Sequence, residues 1–266
     1  MKKFWALFFW FWPLVALWVC AIAPQNNWWF PSPPLSSLGH QIDGLFYLIL
    51  IIVAVTFVGT QFALGYALWQ GAVRTPEKKA WFSHGSHKLE IIWTIVPAFI
   101  LVFISLTQLE VLAKIRVLTS FPKDVQNAPV AEVMARQFEW RIRYPKPGTQ
   151  LMTEPRPGDL YFVNEVHVPA AKPAMINLRT QDVQHAFFVP RLRVKQDAVP
   201  GLIIPVWFEI EKAGEYELLC AELCGWGHYK MKARIIAETP EQVTAYLQRL
   251  EQEQNEDGVA DEQASQ

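Results

Sequence analysis

Hydropathy divides the chain into an apolar first part and a patterned second part. Three uncharged runs come early, at residues 4–23, 44–69 and 91–109. Each approaches or exceeds the roughly 20 apolar residues that span a bilayer as a helix. Pro97 falls inside the third run, where a proline removes one backbone hydrogen bond and can kink a helix. From about residue 116 the pattern changes. Short segments rich in β-branched, aromatic or alternating residues follow, at 130–144, 174–180, 203–210, 216–219 and 231–237. Gly and Pro punctuate them, as in Pro145-Lys146-Pro147-Gly148, Pro155-Arg156-Pro157-Gly158 and Pro200-Gly201. Several short strands between such turns predict a β-sandwich. Thr239-Pro240-Glu241 then predicts a helix start, with a capping side chain, a proline in the first turn and an acid. Tyr246, Leu247 and Leu250 give that helix an apolar face. Residues 251–266 are acidic and polar and are expected to stay unfolded.

The apolar part has internal structure. Residues 1–23 begin with Lys2 and Lys3, crowd Phe4, Trp5, Phe8, Phe9 and Trp10 together, and end Ala21-Ile22-Ala23. They read either as a signal peptide with a small-residue cleavage site or as a third membrane helix. Pro24, directly after the cut, argues against cleavage, and Cys20 reads as a buried apolar cysteine. Residues 24–43 form a Pro- and Ser-rich connector without Lys or Arg, in which Trp28 and Trp29 suit a membrane–water interface. Residues 44–115 predict a two-helix transmembrane hairpin, with Glu110 and Lys114 spaced to pair on its exit turn. Its loop, 70–89, carries Arg74, Lys78, Lys79 and Lys88 against Glu77 alone. Basic loops stay in the cytoplasm. That rule puts 70–89 and Lys2–Lys3 inside, and puts the connector and the whole of 116–266 outside.

Composition supports this division. The hydrophobic fraction is 52% and 18% of residues are charged, with the charges clustered, as for a membrane part joined to a soluble one. A formal net charge of −1 leaves no nucleic-acid footprint. Three cysteines, one of them in an apolar run, do not make a disulfide scaffold, and no Cys-x-x-Cys-His occurs that would attach a haem.

The chemistry concentrates in Cys220-Ala221-Glu222-Leu223-Cys224-Gly225-Trp226-Gly227-His228-Tyr229-Lys230-Met231. Two thiols, an imidazole and a thioether are the soft and borderline ligands that copper and zinc prefer. Gly225 and Gly227 let the backbone turn tightly enough for them to converge. A disulfide would need neither His228 nor Met231. A structural zinc site has no use for methionine, and a one-copper blue site uses one cysteine. Two cysteines suggest two coppers bridged by two thiolates, which requires one more histidine. His185, in a strand-like segment before the loop, is the best candidate. His167, in what reads as a loop start at Val166-His167-Val168-Pro169, is its competitor. His40, His84 and His87 are excluded by topology.

The loop resembles Cys-x-Glu-x-Cys-Gly-x-x-His-x-x-Met, the signature of the binuclear copper A centre in subunit II of haem–copper cytochrome c oxidases. The resemblance runs from about residue 40 to 238 and includes Leu89-Glu90-Ile91-Ile92-Trp93-Thr94-Ile95-Val96-Pro97, Asp182-Val183-Gln184-His185 and Val194-Lys195-Gln196-Asp197-Ala198-Val199-Pro200-Gly201. It implies an all-β, cupredoxin-like Greek-key sandwich over 116–238, behind the membrane hairpin. It implies that Cys220 and Cys224 bridge two coppers, with His185 and Met231 completing one and His228 and the Glu222 carbonyl the other. The Glu222 carboxylate would help hold magnesium against subunit I, and Glu90 would stand at the mouth of a proton channel. Gln137-Phe138-Glu139-Trp140 resembles the segment where electrons enter, with Phe138 where the family usually has tryptophan; Phe138 and Trp140 also read as core-filling residues on one face of a strand. Implied partners are subunit I, subunit III, the lipid bilayer and cytochrome c or another outer-side donor. Haem and oxygen reduction would belong to subunit I. The implied setting is a bacterial plasma membrane in preference to a mitochondrial inner membrane. Acids and bases in 128–238 nearly balance, which gives little steering of a basic cytochrome. Alternative readings are the copper subunit of a nitric oxide reductase and a membrane-anchored copper chaperone on a thioredoxin-like α/β fold.

Overall fold

A computed structural model describes residues 2–30, 32–75 and 84–257. It divides into two units, Met1–Pro33 with Asp43–Leu109, and Pro34–Ile42 with Glu110–Gln266. Glu77, Lys78 and Lys79 of the expected basic loop, and residues 258–266 of the expected tail, lie outside the described residues.

The first unit is helical. Helices α1 (Lys2–Ile22), α2 (Ser37–Ala72) and α3 (His87–Arg116) are long and apolar enough to cross a membrane. The Trp10 indole of α1 donates to the Phe62 carbonyl of α2 at 3.2 Å. It lies where a Cβ on Gly65 would meet it at 2.4 Å, so only glycine admits this approach. Helix α2 starts inside the expected connector. Ser36 caps it, its Oγ accepting the Gly39 N–H at 3.0 Å, and hydropathy had marked only the apolar stretch further on. Helix α3 runs through Pro97 and likewise exceeds the apolar run at both ends.

The second unit is a sandwich of two five-stranded sheets, in the order β3-β2-β1-β5-β8 and β4-β10-β9-β6-β7. The strands are β1 (Ala131–Arg136), β2 (Glu139–Tyr144), β3 (Leu160–Val163), β4 (Glu165–Pro169), β5 (Pro173–Thr180), β6 (His185–Val189), β7 (Val194–Ala198), β8 (Ile204–Glu209), β9 (Gly214–Cys220) and β10 (Lys232–Glu238). β1 pairs in parallel with β5, and β4 with β10; the other neighbours are antiparallel. Alternation places the core. Trp140, Ile142 and Tyr144 of β2 and Ala233, Ile235 and Ala237 of β10 point inward, whereas Lys232 and Arg234 stay exposed. Phe187, Phe208, Ile176 and Leu218 join them, each fully buried large side chain contributing about 1.5–3 kcal/mol.

Two expectations are corrected. The run at 130–144 is a hairpin of two strands, not one strand, because the chain reverses at Gln137-Phe138. Val166-His167-Val168-Pro169 is strand β4, not a loop start; its partner β10 lies far away in sequence, so no local signal announces the pairing. His167 sits between carboxylates, Nδ1 2.8 Å from Glu238 and Nε2 2.9 Å from Glu165, and stacks on Tyr246. Both ring nitrogens are therefore engaged away from the cysteine loop.

Helix α4 (Pro240–Asp257) closes the fold. Thr239 and Gln242 form a reciprocal capping box. The helix continues over residues 251–257, which the sequence reading leaves unfolded. Leu250 is buried, and the Gln254 amide bonds both backbone groups of Tyr161 on β3, at 3.2 and 2.6 Å.

Candidate metal centre

Register assembles the site. Phe187 of β6 pairs with Cys220 of β9, which puts His185, at the start of β6, beside the end of β9. β10 pairs with β9 through Lys232 and Leu219, so the loop between them leaves and returns at one edge. The Cys220 N–H to Met231 carbonyl bond, 3.1 Å, closes its base. Both ends of the twelve-residue segment are thus fixed by the sheet, and the donors converge above it.

The sulfurs of Cys220 and Cys224 are 3.9 Å apart, and both cysteines are free. A disulfide needs about 2.05 Å. His185 Nδ1 lies 3.7 Å from Cys220 Sγ, and His228 Nδ1 lies 3.6 Å from Cys224 Sγ. Met231 Sδ is 3.9 Å from Cys224 Sγ, and the Glu222 carbonyl is 3.2 Å from Cys220 Sγ. His185 and both thiols offer donor atoms that all lie within 4.8 Å of one another. All six expected copper ligands are therefore brought together, each imidazole at its own thiol.

This donor set fits a thiolate-bridged centre. Sulfurs 3.9 Å apart can bond a common ion, since the separation is less than twice a metal–thiolate bond of about 2.3 Å. Cys220 and Cys224 would hold such an ion with His185, whose donor atom lies within the same 4.8 Å cluster.

The surroundings orient the donors. His185 is fully buried, and its Nε2 is 2.8 Å from Asp182 Oδ1, which leaves Nδ1 for a metal. Asp182 Oδ2 accepts the Gln137 N–H at 2.7 Å, and the Gln137 amide donates to the Cys224 carbonyl. The Phe138 ring covers the loop glycines; a Cβ on Gly227 would meet it at 2.5 Å. Burial pushes both thiols up. At Cys220 the bonds from His185, Ala186, Glu222 and His228 outweigh burial and bring the thiol down to about 6. Cys224, beside that thiolate, is pushed up to about 11. A bound metal would favour the thiolate form of both.

The other singled-out residues fall elsewhere. Trp140 is fully buried, edge-on to Phe187 and to the His185 ring. Phe138 is half-buried in the β1–β2 turn, edge-on to Trp226 at 5.2 Å. Glu90, in the first turn of α3, lies 3.1 Å from His87 Nδ1. Asp182, Gln137 and Trp226 are residues to which the sequence reading gave no role. The Asp182–His185 spacing of three was the available signal for the first.

A β-sandwich that gathers thiol, imidazole and thioether donors at one end, on a chain with membrane-length apolar helices, has the make-up of a membrane protein with a candidate metal-binding domain. Comparison narrows the class. The family model described as the periplasmic domain of cytochrome c oxidase subunit II matches residues 147–238, and that of its transmembrane domain matches residues 30–111. Cytochrome c oxidase subunit 2 of Cereibacter sphaeroides is 30% identical over 258 residues, 85% of this chain and 80% of the relative. The alternative cytochrome c oxidase subunit 2 of Bradyrhizobium diazoefficiens is 32% identical over 142 residues, 46% of this chain and about half, 51%, of the relative. A crystal structure of the periplasmic domain of cytochrome oxidase subunit II from Bradyrhizobium japonicum aligns at 25% identity and TM-score 0.40, covering 46% of this chain and 93% of that one. The chain belongs to the cytochrome c oxidase subunit II family. That assignment does not favour the nitric oxide reductase reading, and the two-sheet sandwich is not the α/β fold of a thioredoxin-like chaperone.

Proposed function

We propose that this chain takes single electrons from an outer-side carrier, cytochrome c or a similar protein, and hands them to haem in subunit I, where oxygen is reduced to water with proton pumping. The observation that carries the reading is the pair of thiols 3.9 Å apart, each with its own imidazole. Cys220 and Cys224 would bridge two copper ions, His185 and Met231 would complete one, and His228 and the Glu222 carbonyl the other. Copper so bridged shares one unpaired electron between two nuclei, and an electron gained or lost changes each bond little. The residues of this chain keep those bonds fixed. Asp182 holds the His185 tautomer, Gln137 ties down the Cys224 carbonyl, and the sheet clamps both ends of the loop. Phe138 and Trp140 are proposed as the aromatic route inward, the Glu222 carboxylate as a magnesium ligand facing subunit I, and Glu90 as the mouth of a proton channel. Subunit III completes the proposed assembly, in a bacterial plasma membrane with the sandwich on the periplasmic side.

The test is copper content and electron paramagnetic resonance of the full chain in detergent, loaded with copper. Two coppers with one spin spread over both nuclei are expected. One copper, or a Cys220–Cys224 disulfide with none, would overturn the proposal.

A further inference from the structure

The ligand loop alternates inward donors with outward apolar side chains. Leu223 lies between Cys220 and Cys224, Trp226 between Cys224 and His228, and Tyr229 between His228 and Met231. These three are 78%, 80% and 68% exposed. Large apolar groups standing this far into solvent on one short loop mark interaction surfaces. Trp226 is the side chain best placed at their centre. It is two residues from Cys224 and two from His228, and it rests edge-on against Phe138, whose ring lies over Gly225 and Gly227. Gln137, next to Phe138, bonds the Cys224 carbonyl. A protein seated on Trp226 is therefore separated from the donor set by one aromatic layer and a few covalent bonds.

Charge and size narrow the occupant. The charged residues on the loop and on the Phe138 turn are Arg136, Glu139, Glu222 and Lys230, two of each sign, and Arg136 and Glu139 pair with each other. Lys230 lies over the Tyr229 ring. Charge balances on these two segments, which by themselves give little attraction for a strongly basic partner; the nearby Asp182 carboxylate is committed to Gln137 and His185. Three side chains cover too little area for a permanent subunit contact of about 2,000 Å² or more and suit a short-lived encounter.

We infer that Trp226, flanked by Leu223 and Tyr229, is the docking contact for the outer-side electron carrier, and that this carrier presents an apolar, weakly charged face around the edge of its redox group. This rests on the function proposed above. In each encounter the carrier loses one electron and the centre gains one; no bond forms or breaks and no proton moves. The oxidised carrier then leaves.

The test uses the purified oxidase complex containing this chain, as wild type, Trp226→Ala and Trp226→Phe. Two c-type cytochromes serve as probes, one with a neutral contact face and one strongly basic. Equilibrium binding is measured by surface plasmon resonance on copper-loaded and copper-free complex, alongside the second-order rate of cytochrome oxidation. Trp226→Ala should weaken binding of the neutral-faced probe by about tenfold or more, as expected for a central aromatic anchor, and Trp226→Phe should recover part of it. Wild-type binding of that probe should change less than about threefold between about 20 and 200 mM salt. Unchanged binding in Trp226→Ala overturns the inference. So does loss of the catalytic subunit on purification, which would make the patch a subunit interface, and so does tighter, salt-sensitive binding of the basic probe. A wild-type complex without the two-copper spectrum would sink the proposed function itself; an intact spectrum with unaltered Trp226→Ala binding would sink only the docking assignment.

Discussion

At His185 the position of one proton decides which nitrogen can serve a metal. Asp182 takes the Nε2 side at 2.8 Å, and Nδ1 faces the thiols. Burial alone would raise the Asp182 carboxyl, but the Gln137 N–H, His185 and the Val183 N–H together outweigh it and hold the group below the usual carboxylate range. It is thus an ionised acceptor. Asp182→Asn keeps the shape and removes the charge. It should weaken metal affinity about 10- to 100-fold, the usual cost of losing a carboxylate behind a histidine ligand. A competition titration against a chelator measures this, with circular dichroism to verify the fold. Affinity equal to wild type would show that the backbone alone orients the ring.

At the scale of elements, the outer face of β1 and β2 carries a buried charge cluster. Arg143 is 3% exposed and bonds Glu132 twice, at 3.2 and 3.0 Å, and Asp159 at 2.7 Å. It also bonds the Met152 carbonyl, which fastens the loop after β2 to the sheet. Arg143→Leu would leave Asp159 without its cation and Glu132 with Arg179 alone, 3.3 Å away, and should destabilise the sandwich by about 3–5 kcal/mol, seen in thermal unfolding. Removing Glu132 as well should restore part of that loss, and a double variant no better than the single one would refute the pairing. How much of these elements was legible depended on range. The ligand loop could be read because its donors are close in sequence, and the start of α4 because Thr239, Pro240 and Glu241 are adjacent. Strand β4 and the last two turns of α4 could not, because β10 and Tyr161 stabilise them from a distance. The charge cluster was hidden for a related reason: Arg143 and Asp159 are 16 positions apart, and no local pattern pairs them. At the site itself Cys220, Cys224, His228 and Met231 were legible from spacing, His185 from the missing imidazole and the Glu222 carbonyl only through the family resemblance, whereas the Gln137 tether and the exposure of Trp226 emerge only when three separate turns meet.

On the scale of the whole molecule, two materials share one chain, and the charges along it set its orientation. The segment between α2 and α3 holds the lysines and Arg74, while the connector before α2 has none. Protease added outside intact spheroplasts should therefore remove the sandwich and spare a tag placed between α2 and α3. A protected sandwich would reverse the topology and put the proposed docking contact out of reach of any outer-side carrier. The sandwich carries a further implication in the way its metal loop is hung. Five of the six donors lie on one segment whose ends are tied together by the Cys220–Met231 backbone bond, and Cys224 and Met231 of that segment are also buried in the core beneath it. Lengthening, shortening or re-lettering that segment therefore disturbs the packing as well as the donor set. A lineage that exchanges these donors must therefore replace the buried bulk of Cys224 and Met231 too, so the inherited core limits which donors can follow them.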